Sequence, residues 1–480
     1  MREAWEDPLG LRGRRASGRG IGGIRVPGHP ARFLAGVLTI RIALLFIWVL
    51  LGAWFPVGAQ DLATPIPDGA ETSPVLARAD QIFEEVSRLR GLPIKNPVHK
   101  LLKDREFFAR YFLKLLQRQY PVARKKILER AYIFYGFLSP GTDLVQSTVS
   151  ALLRQVQGVY DPTTKTLYIA DWVGEDLQEE VLAHELTHAL QDQYFDLRAY
   201  LAQEQGQSMD YQFAHDSVME GEAVALAMDY SLEGKKVDFT RIRNIGEAAD
   251  LKDRLDESGQ KAFGRKSALP DVADFPYVYG TSFLQKYVKT YGWQGMGYLF
   301  EHPPTSTHQV LHPETFFPVR HNPTRVGIED LSPGILKGRS KFWEDSFGEY
   351  GLFLMLRPYL GGEEARNAVK GWRGDRFQLY QRSDHLTGVG YVIFEDEVSA
   401  DLFFQAARSL LTQKYHMAPA PSVGDLFLLT LGGTGLEACV ERRGKRVILV
   451  EGTEQGETAA ARTALLKIKK RVAKKGKGQQ

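Results

Sequence analysis

The sequence predicts an α+β protein with a mainly helical body, a small antiparallel sheet edge and a smaller C-terminal α+β module. Two observations predict this fold class. Between residues 75 and 311, apolar residues recur mostly at helical spacing, and a short strand pattern interrupts them at Thr166–Ala170. From about Lys341 onwards, short strand patterns alternate with helical ones. With 44% hydrophobic and 25% charged residues, the composition is that of a globular protein.

Residues 1–59 are predicted to be a signal peptide with a long basic n-region. An uncharged run from Ile42 to Phe55 follows several arginines, and the small residues of Val57–Ala59 have the spacing that a signal peptidase recognises. Cleavage after Ala59 would give an exported protein, periplasmic or extracellular. The uncharged run is shorter than the roughly 20 residues of a spanning helix, but an uncleaved membrane anchor through residues 42–55 remains the alternative.

The chain after this segment divides by composition and periodicity. Residues 60–74 are rich in Pro, Thr, Ala and Asp, which predicts a linker. Residues 75–156 have apolar residues at helical spacing and are predicted to form a helical subdomain. A turn and the Thr166–Ala170 strand then open a third region, residues 157–340, which contains the motif with the clearest chemistry.

That motif is the pentapeptide His184–His188, which has the pattern His-Glu-x-x-His. It lies in a stretch from Leu177 to Phe195 that no Pro or Gly interrupts, as expected of a helix. Two histidines four residues apart project from one face of a helix, so both can reach one metal ion, and Glu185 lies beside the open position of the metal. The pattern predicts a zinc hydrolase.

A catalytic zinc ion takes three protein ligands and a water molecule, so another element must supply a third His, Asp or Glu. The next helical pattern, residues 212–232, carries four candidates: His215, Asp216, Glu220 and Glu222. Their types and spacing alone do not select one of them.

The two helical segments resemble the gluzincin metallopeptidases, in which a second helix supplies a glutamate after the His-Glu-x-x-His motif. Residues 184–192, HELTHALQD, are similar to HELTHAVTD of thermolysin, and Glu220 begins a Glu-Gly-Glu-Ala sequence of the kind that this family uses. The resemblance implies one zinc ion bound by His184, His188 and Glu220. It also implies Glu185 as the general base.

Two other carboxylates on the second helix remain alternatives to Glu220. Glu222 lies two residues further on and about 200° round the helix, whereas Asp216 lies one turn earlier on nearly the same face. Asp216 could instead hydrogen-bond a ligand histidine and orient it.

Further segments resemble uncharacterised bacterial exported proteins with the same motif, namely Asp274–Gly280, Pro303–Pro313 and Gly371–Arg376. The chain departs from that group at His308, where the group usually has Glu. The resemblance runs from about Arg90 to Arg376 and implies a zincin-like body over residues 157–340, with Asp274 opening another helix. Zincins commonly bind the substrate backbone along an exposed edge strand ahead of the metal helix, and Leu167–Ala170 is predicted to be that strand.

Hydrolysis through a tetrahedral intermediate needs a hydrogen-bond donor for the oxyanion besides the metal. Tyr277, Tyr279, His308 and His312 are the candidates, and His312 and Tyr277 are predicted to belong to the catalytic site. The alternative for each tyrosine is simple packing, and for each histidine a hydrogen bond within a turn.

The C-terminal module, residues 341–480, contains no motif that suggests catalysis. Strands are predicted at 386–394, 427–430, 436–443 and 446–451, and helices at 399–412 and from Glu457 onwards. The lysine-rich tail could contact an anionic membrane or cell-wall surface, or remain solvated.

The sequence is interpreted as an exported, single-zinc metallopeptidase of gluzincin type that acts on a peptide or protein. A binding or scaffold protein that keeps the fold without turnover is one alternative, and a zinc amidase acting on a cell-wall amide is another. A net charge of +3 over 480 residues argues against nucleic acid as a partner. The single cysteine, Cys439, excludes an intrachain disulfide. The oligomeric state stays open.

Overall fold

A computed structural model describes residues 74–172, 175–233, 237–242, 245, 269–418 and 423–468. The predicted signal peptide, nearly all of the predicted linker and most of the lysine-rich tail lie outside the described residues. Within them the fold is α+β, as predicted from the sequence. No helix in these ranges combines the length and the apolar character that crossing a membrane requires.

Fourteen α-helices and nine strands are described and are numbered here in chain order. The helices are α1 (Pro74–Arg90), α2 (Arg105–Gln119), α3 (Val122–Tyr135), α4 (Leu144–Gln155), α5 (Glu175–Phe195), α6 (Leu197–Ala202), α7 (Met209–Leu232), α8 (Leu269–Tyr291), α9 (Met296–Glu301), α10 (Thr307–Leu311), α11 (Gly348–Leu360), α12 (Gly362–Val369), α13 (Glu397–Lys414) and α14 (Glu457–Leu466). The strands are β1 (His99–Lys103), β2 (Gly158–Asp161), β3 (Thr166–Ala170), β4 (Ser340–Asp345), β5 (Trp372–Arg382), β6 (His385–Phe394), β7 (Leu426–Leu431), β8 (Leu436–Arg443) and β9 (Arg446–Glu454).

Helix α7 is the central helix of the body. It begins where the Ser208 hydroxyl accepts a hydrogen bond from the Tyr211 N–H, a common N-terminal cap. Nearly all of its residues are buried, including five carboxylates and a histidine, because α5, α8 and α11 all pack against it. A helix buried on every side must satisfy its polar groups internally.

Helices α7 and α8 touch through their backbones at a pair of glycines. A Cβ added to Gly221 would lie 2.6 Å from the carbonyl carbon of Gly280, and one added to Gly280 would lie 2.5 Å from the Ser217 oxygen. Side chains at these positions would therefore separate the helices. The prediction that Asp274 opens this helix is wrong, because α8 begins at Leu269 and continues through Pro276.

The small sheet has the strand order β1-β3-β2, so β3 is its central strand. Strand β1 pairs with β3 in parallel, and β2 pairs with it antiparallel. The prediction of Leu167–Ala170 as an exposed edge for substrate is therefore wrong, because both edges of that strand are occupied. The edge strand that packs against α5 is β2.

The large sheet is antiparallel, with the order β4-β5-β6-β9-β8-β7. The strands predicted from residue 386 onwards are confirmed as β6 to β9, and both predicted helices are confirmed as α13 and α14. Strands β1, β4 and β5 were not predicted, and β2 forms where a turn was predicted. One continuous hydrophobic core extends from α2 to β9, so the helical body and the large sheet share buried residues.

Candidate metal centre

The structure brings His184, His188 and Glu220 together at the contact between α5 and α7. The two histidine Nε2 atoms are 3.1 Å apart, and each lies 3.3 Å from Oε2 of Glu220. All three side chains are buried. The arrangement follows from helix geometry, because residues four apart on α5 share one face and Glu220 faces them from α7.

These three donors fit a zinc ion. Two ligand atoms that each lie about 2.0–2.1 Å from a tetrahedral zinc ion are about 3.3–3.4 Å from one another. Both oxygens of Glu220 are buried without a hydrogen-bond partner, which is costly unless a cation lies beside them. Two imidazoles and one carboxylate are a common ligand set of catalytic zinc.

The charges within the cluster also favour a cation. Burial by itself would raise the pKa of Glu220, but His188 and His184 outweigh it and lower that pKa to about 2. Burial likewise opposes the charged form of His188, whereas Glu220 and Glu185 raise the pKa of His188 to about 9. A positive charge between these side chains is therefore stabilised.

His188 is held by a chain of buried hydrogen bonds that leads away from the cluster. Its Nδ1 lies 2.8 Å from Oε1 of Gln191, whose amide nitrogen donates to the Met219 carbonyl and to Glu222, at 2.9 Å each. Glu222 in turn forms a buried ion pair with Arg90. The alternative ligand Glu222 is thus engaged in this chain. Sequence reasoning missed both Gln191 and Arg90. The position of Gln191, three residues after His188, was a signal for its role, whereas Arg90 gave no signal.

Glu185 lies beside the cluster and is 4% exposed. Its Oε2 accepts a hydrogen bond of 2.7 Å from the backbone N–H of Tyr160 on edge strand β2. Burial raises the pKa of Glu185 to about 7, with a contribution from Glu220, while His188 and the Tyr160 N–H act in the opposite direction. The contact joins β2 to α5.

Of the predicted oxyanion donors, Tyr277 lies at the cluster. Its ring stacks on the His184 ring with centroids 6.0 Å apart and an interplanar angle of 22°. Its hydroxyl is buried and has no hydrogen-bond partner. Burial and the Glu220 carboxylate hold the pKa of Tyr277 well above 10.

The structure places His312 and His308 in a different group, around Glu349. His312 Nε2 lies 3.0 Å from one Glu349 oxygen and His308 Nδ1 lies 2.5 Å from the other. Arg373 donates to the remaining His308 nitrogen at 3.0 Å. The predicted catalytic role of His312 therefore gains no geometric support. Tyr279 packs between Phe275 and Tyr350.

Asp216, the other alternative ligand, belongs to a third buried group together with Glu204 and His215. The side chain that bonds and orients a ligand histidine is Gln191, whereas sequence reasoning had considered Asp216 for that task. Within the described residues there are thus three groups whose potential metal donors lie close to one another. The first of these groups contains the predicted zinc ligands.

Comparisons with known proteins place part of this chain in context. The profile of a family described as "Domain of unknown function (DUF8575)" matches residues 339–462, which include the large sheet and lie outside the cluster. No curated protein matches the sequence. A crystal structure described as "a putative hydrolase with a novel fold" from Chloroflexus aurantiacus is similar at 19% identity and a TM-score of 0.31. The match covers 60% of this chain and 95% of that one. A similarity at this level supports no conclusion about function.

Proposed function

We propose that this protein is a zinc-dependent hydrolase that cleaves peptide bonds, with His184, His188 and Glu220 as the zinc ligands. The observation that supports the proposal is the mutual spacing of the three donor atoms, 3.1–3.3 Å, with both Glu220 oxygens buried and unpartnered. Zinc bound there supplies Lewis-acid activation of a water molecule and of the substrate carbonyl.

Glu185 is the general base of the proposed reaction. It directly follows His184, and the Tyr160 N–H holds one of its oxygens, so the carboxylate stays beside the cluster. From there it takes a proton from the attacking water. It then delivers this proton to the leaving amine, which allows the amide bond to break.

Tyr277 is the proposed hydrogen-bond donor for the oxyanion. Its pKa is held well above 10, so the hydroxyl keeps its proton at neutral pH. That hydroxyl lies beside the Glu220 carboxylate at the cluster, where it could donate to a substrate oxygen that becomes negative during the reaction. His312 has no part in this proposal because its Nε2 is bonded to Glu349.

The choice of a peptide as substrate, and of a location outside the cytoplasm, rests on the resemblance to gluzincins and on the predicted signal peptide. The same residues would hydrolyse another amide, because the chemistry of the carbonyl is the same. The range of substrates cleaved therefore needs to be part of the test.

The test combines metal analysis with cleavage profiling of the purified full chain on a mixed peptide library. His188→Ala should lose the zinc of this site and all cleavage. Glu185→Gln should keep the zinc and lose about 100-fold to 10,000-fold in rate, because it deletes only the base. Zinc lost from Glu185→Gln would mean that Glu185 is a ligand, contrary to the proposal.

His302→Ala provides the matched control, since His302 is exposed and lies at the end of α9. It should retain both the zinc and the activity of the wild type. Full zinc in His188→Ala would contradict the ligand assignment. Cleavage of peptidoglycan cross-links with no cleavage of any peptide would replace the proposed substrate class by the cell-wall amide.

A further inference from the structure

The third buried group lies at the start of α7 and plays no part in the proposed reaction. Glu204 is in the turn after α6, and His215 and Asp216 are neighbours on α7. The three side chains are 1%, 0% and 0% exposed. One donor atom of each lies within 4.8 Å of the others. Such burial is unusual for two carboxylates unless they are paired with cations or coordinate a metal.

Asp216 is the member of this group that lacks a hydrogen-bond donor. Both of its oxygens are buried and receive no hydrogen bond from a donor group, and the Glu204 carboxyl lies beside them. His215 Nδ1 lies 2.6 Å from Glu204 Oε1, so this nitrogen faces the carboxyl groups. A cation between Nδ1 and the carboxylate oxygens would compensate for the burial of these acidic groups.

We infer that Glu204, His215 and Asp216 form a second metal site, for a divalent cation such as Zn²⁺ or Mn²⁺. A neutral imidazole with two carboxylates carries two negative charges, which a divalent cation neutralises. One imidazole nitrogen with carboxylate oxygens is a ligand set that suits these ions.

The protonation of the group is consistent with this. Burial lowers the pKa of His215 to about 3, so the imidazole is neutral and can offer a lone pair to a metal. Burial and the neighbouring Glu204 hold the pKa of Asp216 well above its usual range. Protons therefore occupy the carboxyl pair when no metal does, and a metal would displace them.

The group around Glu349 serves as a contrast. It contains two histidines and one carboxylate, and both Glu349 oxygens accept hydrogen bonds from these histidines. The remaining nitrogen of His308 is bonded to the Arg373 guanidinium, a positive charge that disfavours a metal ion. Its hydrogen bonds form a closed network, so the inference of a second metal site is confined to the Glu204 group.

A metal ion at the second site would link α7 to the turn that precedes it. Asp216 lies one helical turn before Glu220, and the Glu220 charge contributes to the raised pKa of Asp216. The two metal sites are thus neighbours along α7 with different ligand sets. The inference does not depend on the proposed function, because it concerns the number of metal ions and not the reaction.

The test is the metal content of the full chain after saturation with Zn²⁺ and removal of unbound metal by gel filtration. The wild type should retain two equivalents. Glu204→Gln and His215→Gln should each retain one, and His188→Ala should retain the other one. A combined His188→Ala and His215→Gln protein should retain none. One equivalent in the wild type, lost in His188→Ala, would overturn the second site.

Gln212→Ala is the local control, because its amide contacts the carbonyl of Glu204 at 3.4 Å and offers no metal ligand from this group. It should retain two equivalents, and two equivalents in His215→Gln would also overturn the inference. Glu204→Gln changes the shape of the side chain very little, so it tests the site if the histidine variant fails to fold. Two bound metal ions without peptide cleavage would contradict the proposed function only.

Discussion

At His188, the ring tautomer is set by a side chain three residues further along the same helix. The amide nitrogen of Gln191 donates to the Met219 carbonyl and to Glu222, so its oxygen must face the histidine. The oxygen accepts from Nδ1, which therefore carries the proton. Nε2 is therefore the nitrogen that faces His184 and Glu220, and it can bind a metal ion once it gives up its proton.

The role of Gln191 can be tested by Gln191→Met, which keeps the approximate size but removes the amide. We expect zinc affinity at the His188 site to fall about 10-fold to 100-fold, because the ring orientation is no longer fixed. Competition with a chromophoric chelator measures this. Gln193→Met, at a half-buried position on α5 that contacts Lys95 and Asn96 away from the cluster, is the control and should leave the affinity unchanged. Equal affinities in the two variants would show that Gln191 does not position His188.

The two neighbouring glutamates of α7 should respond differently to removal. Glu220→Ala should abolish zinc binding at the cluster and cost less stability than Glu222→Ala, because its partners are the two histidines and not a buried guanidinium. Glu222→Ala should destabilise the fold by about 3–5 kcal/mol, because Arg90 would be left buried without its partner. Urea unfolding and metal analysis of both variants separate the two roles. Greater zinc loss in Glu222→Ala would make Glu222 the ligand.

The extent to which the site could be predicted follows from the distance between partners in the sequence. His184 and His188 lie four residues apart on one helix, so their common face, with Glu185 beside it, follows from helix geometry alone. Glu220 was selected by its resemblance to a family and not by spacing. Arg90 reaches Glu222 across 132 residues, and the Tyr160 N–H reaches Glu185 across 25. No local pattern encodes such contacts.

At the scale of helices, the contact between α7 and α8 depends on Gly221 and Gly280. Because their backbones touch, Tyr277, about one turn before Gly280, lies near Glu220, one residue before Gly221. The proposed oxyanion donor is therefore placed by helix packing and not by a loop. A glycine in the middle of a helix costs about 0.5–1 kcal/mol relative to alanine, so two of them there indicate a close approach.

We expect Gly280→Ala to destabilise the protein by at least about 1–3 kcal/mol, because the new Cβ would meet the rigid backbone of α7 at Ser217. Thermal or urea unfolding measures the change. Gly297→Ala is the matched control on helix α9, where nothing lies within 4 Å of the added Cβ. It should be neutral or stabilise by up to about 1 kcal/mol, the usual helix preference for alanine. Similar losses in both would contradict the packing argument.

The accuracy of the predictions for whole elements varied with their patterns. Strands β6 to β9 are rich in Val, Ile and Leu and were predicted nearly to their ends. Strand β5 contains Arg373, Asp375 and Arg376, and these charged residues obscure the alternation of polar and apolar residues that identifies a strand. Asp375 is nevertheless buried. The error at β3 arose because β1, a partner from the region predicted to be helical, covers its second edge. Strand pairing across 60 or more residues is a tertiary property.

Across the whole molecule, three carboxylates join the N-terminus of α7 to the turn between β4 and α11, and two of them, Asp210 and Asp375, are buried. Asp345 accepts hydrogen bonds from Met209 N–H and Ser346 N–H, and Asp375 accepts from Phe347 N–H and Gly348 N–H. Asp210 on α7 adds two bonds from Thr307, through its N–H and its hydroxyl. Gly348 has a φ of +71°, and a Cβ there would overlap the Asp210 side chain. The body and the large sheet are therefore joined through acidic groups that are withdrawn from water.

Stability should consequently fall as the pH rises, with Asp210 as one cause. Burial first, then the charges of Asp375 and Glu349, raise the pKa of Asp210 from 3.8 to about 8, despite the opposing hydrogen bonds from Thr307. A carboxyl with a higher pKa in the folded state binds more protons there than in the unfolded state. Its contribution is therefore fully present below about pH 4 and is lost as the pH rises through about 8.

Asp210→Asn cannot ionise and still offers an oxygen to Thr307, so it isolates this contribution. Between about pH 4 and 8, the unfolding free energy of the wild type should fall relative to the variant by about 1.4 kcal/mol per pH unit. Urea unfolding of both proteins at several pH values measures the difference, and protons bound at the metal sites cancel because both proteins retain them. Parallel pH profiles would show that Asp210 ionises in the folded protein as easily as in water, and that acidic groups at this junction do not control its stability.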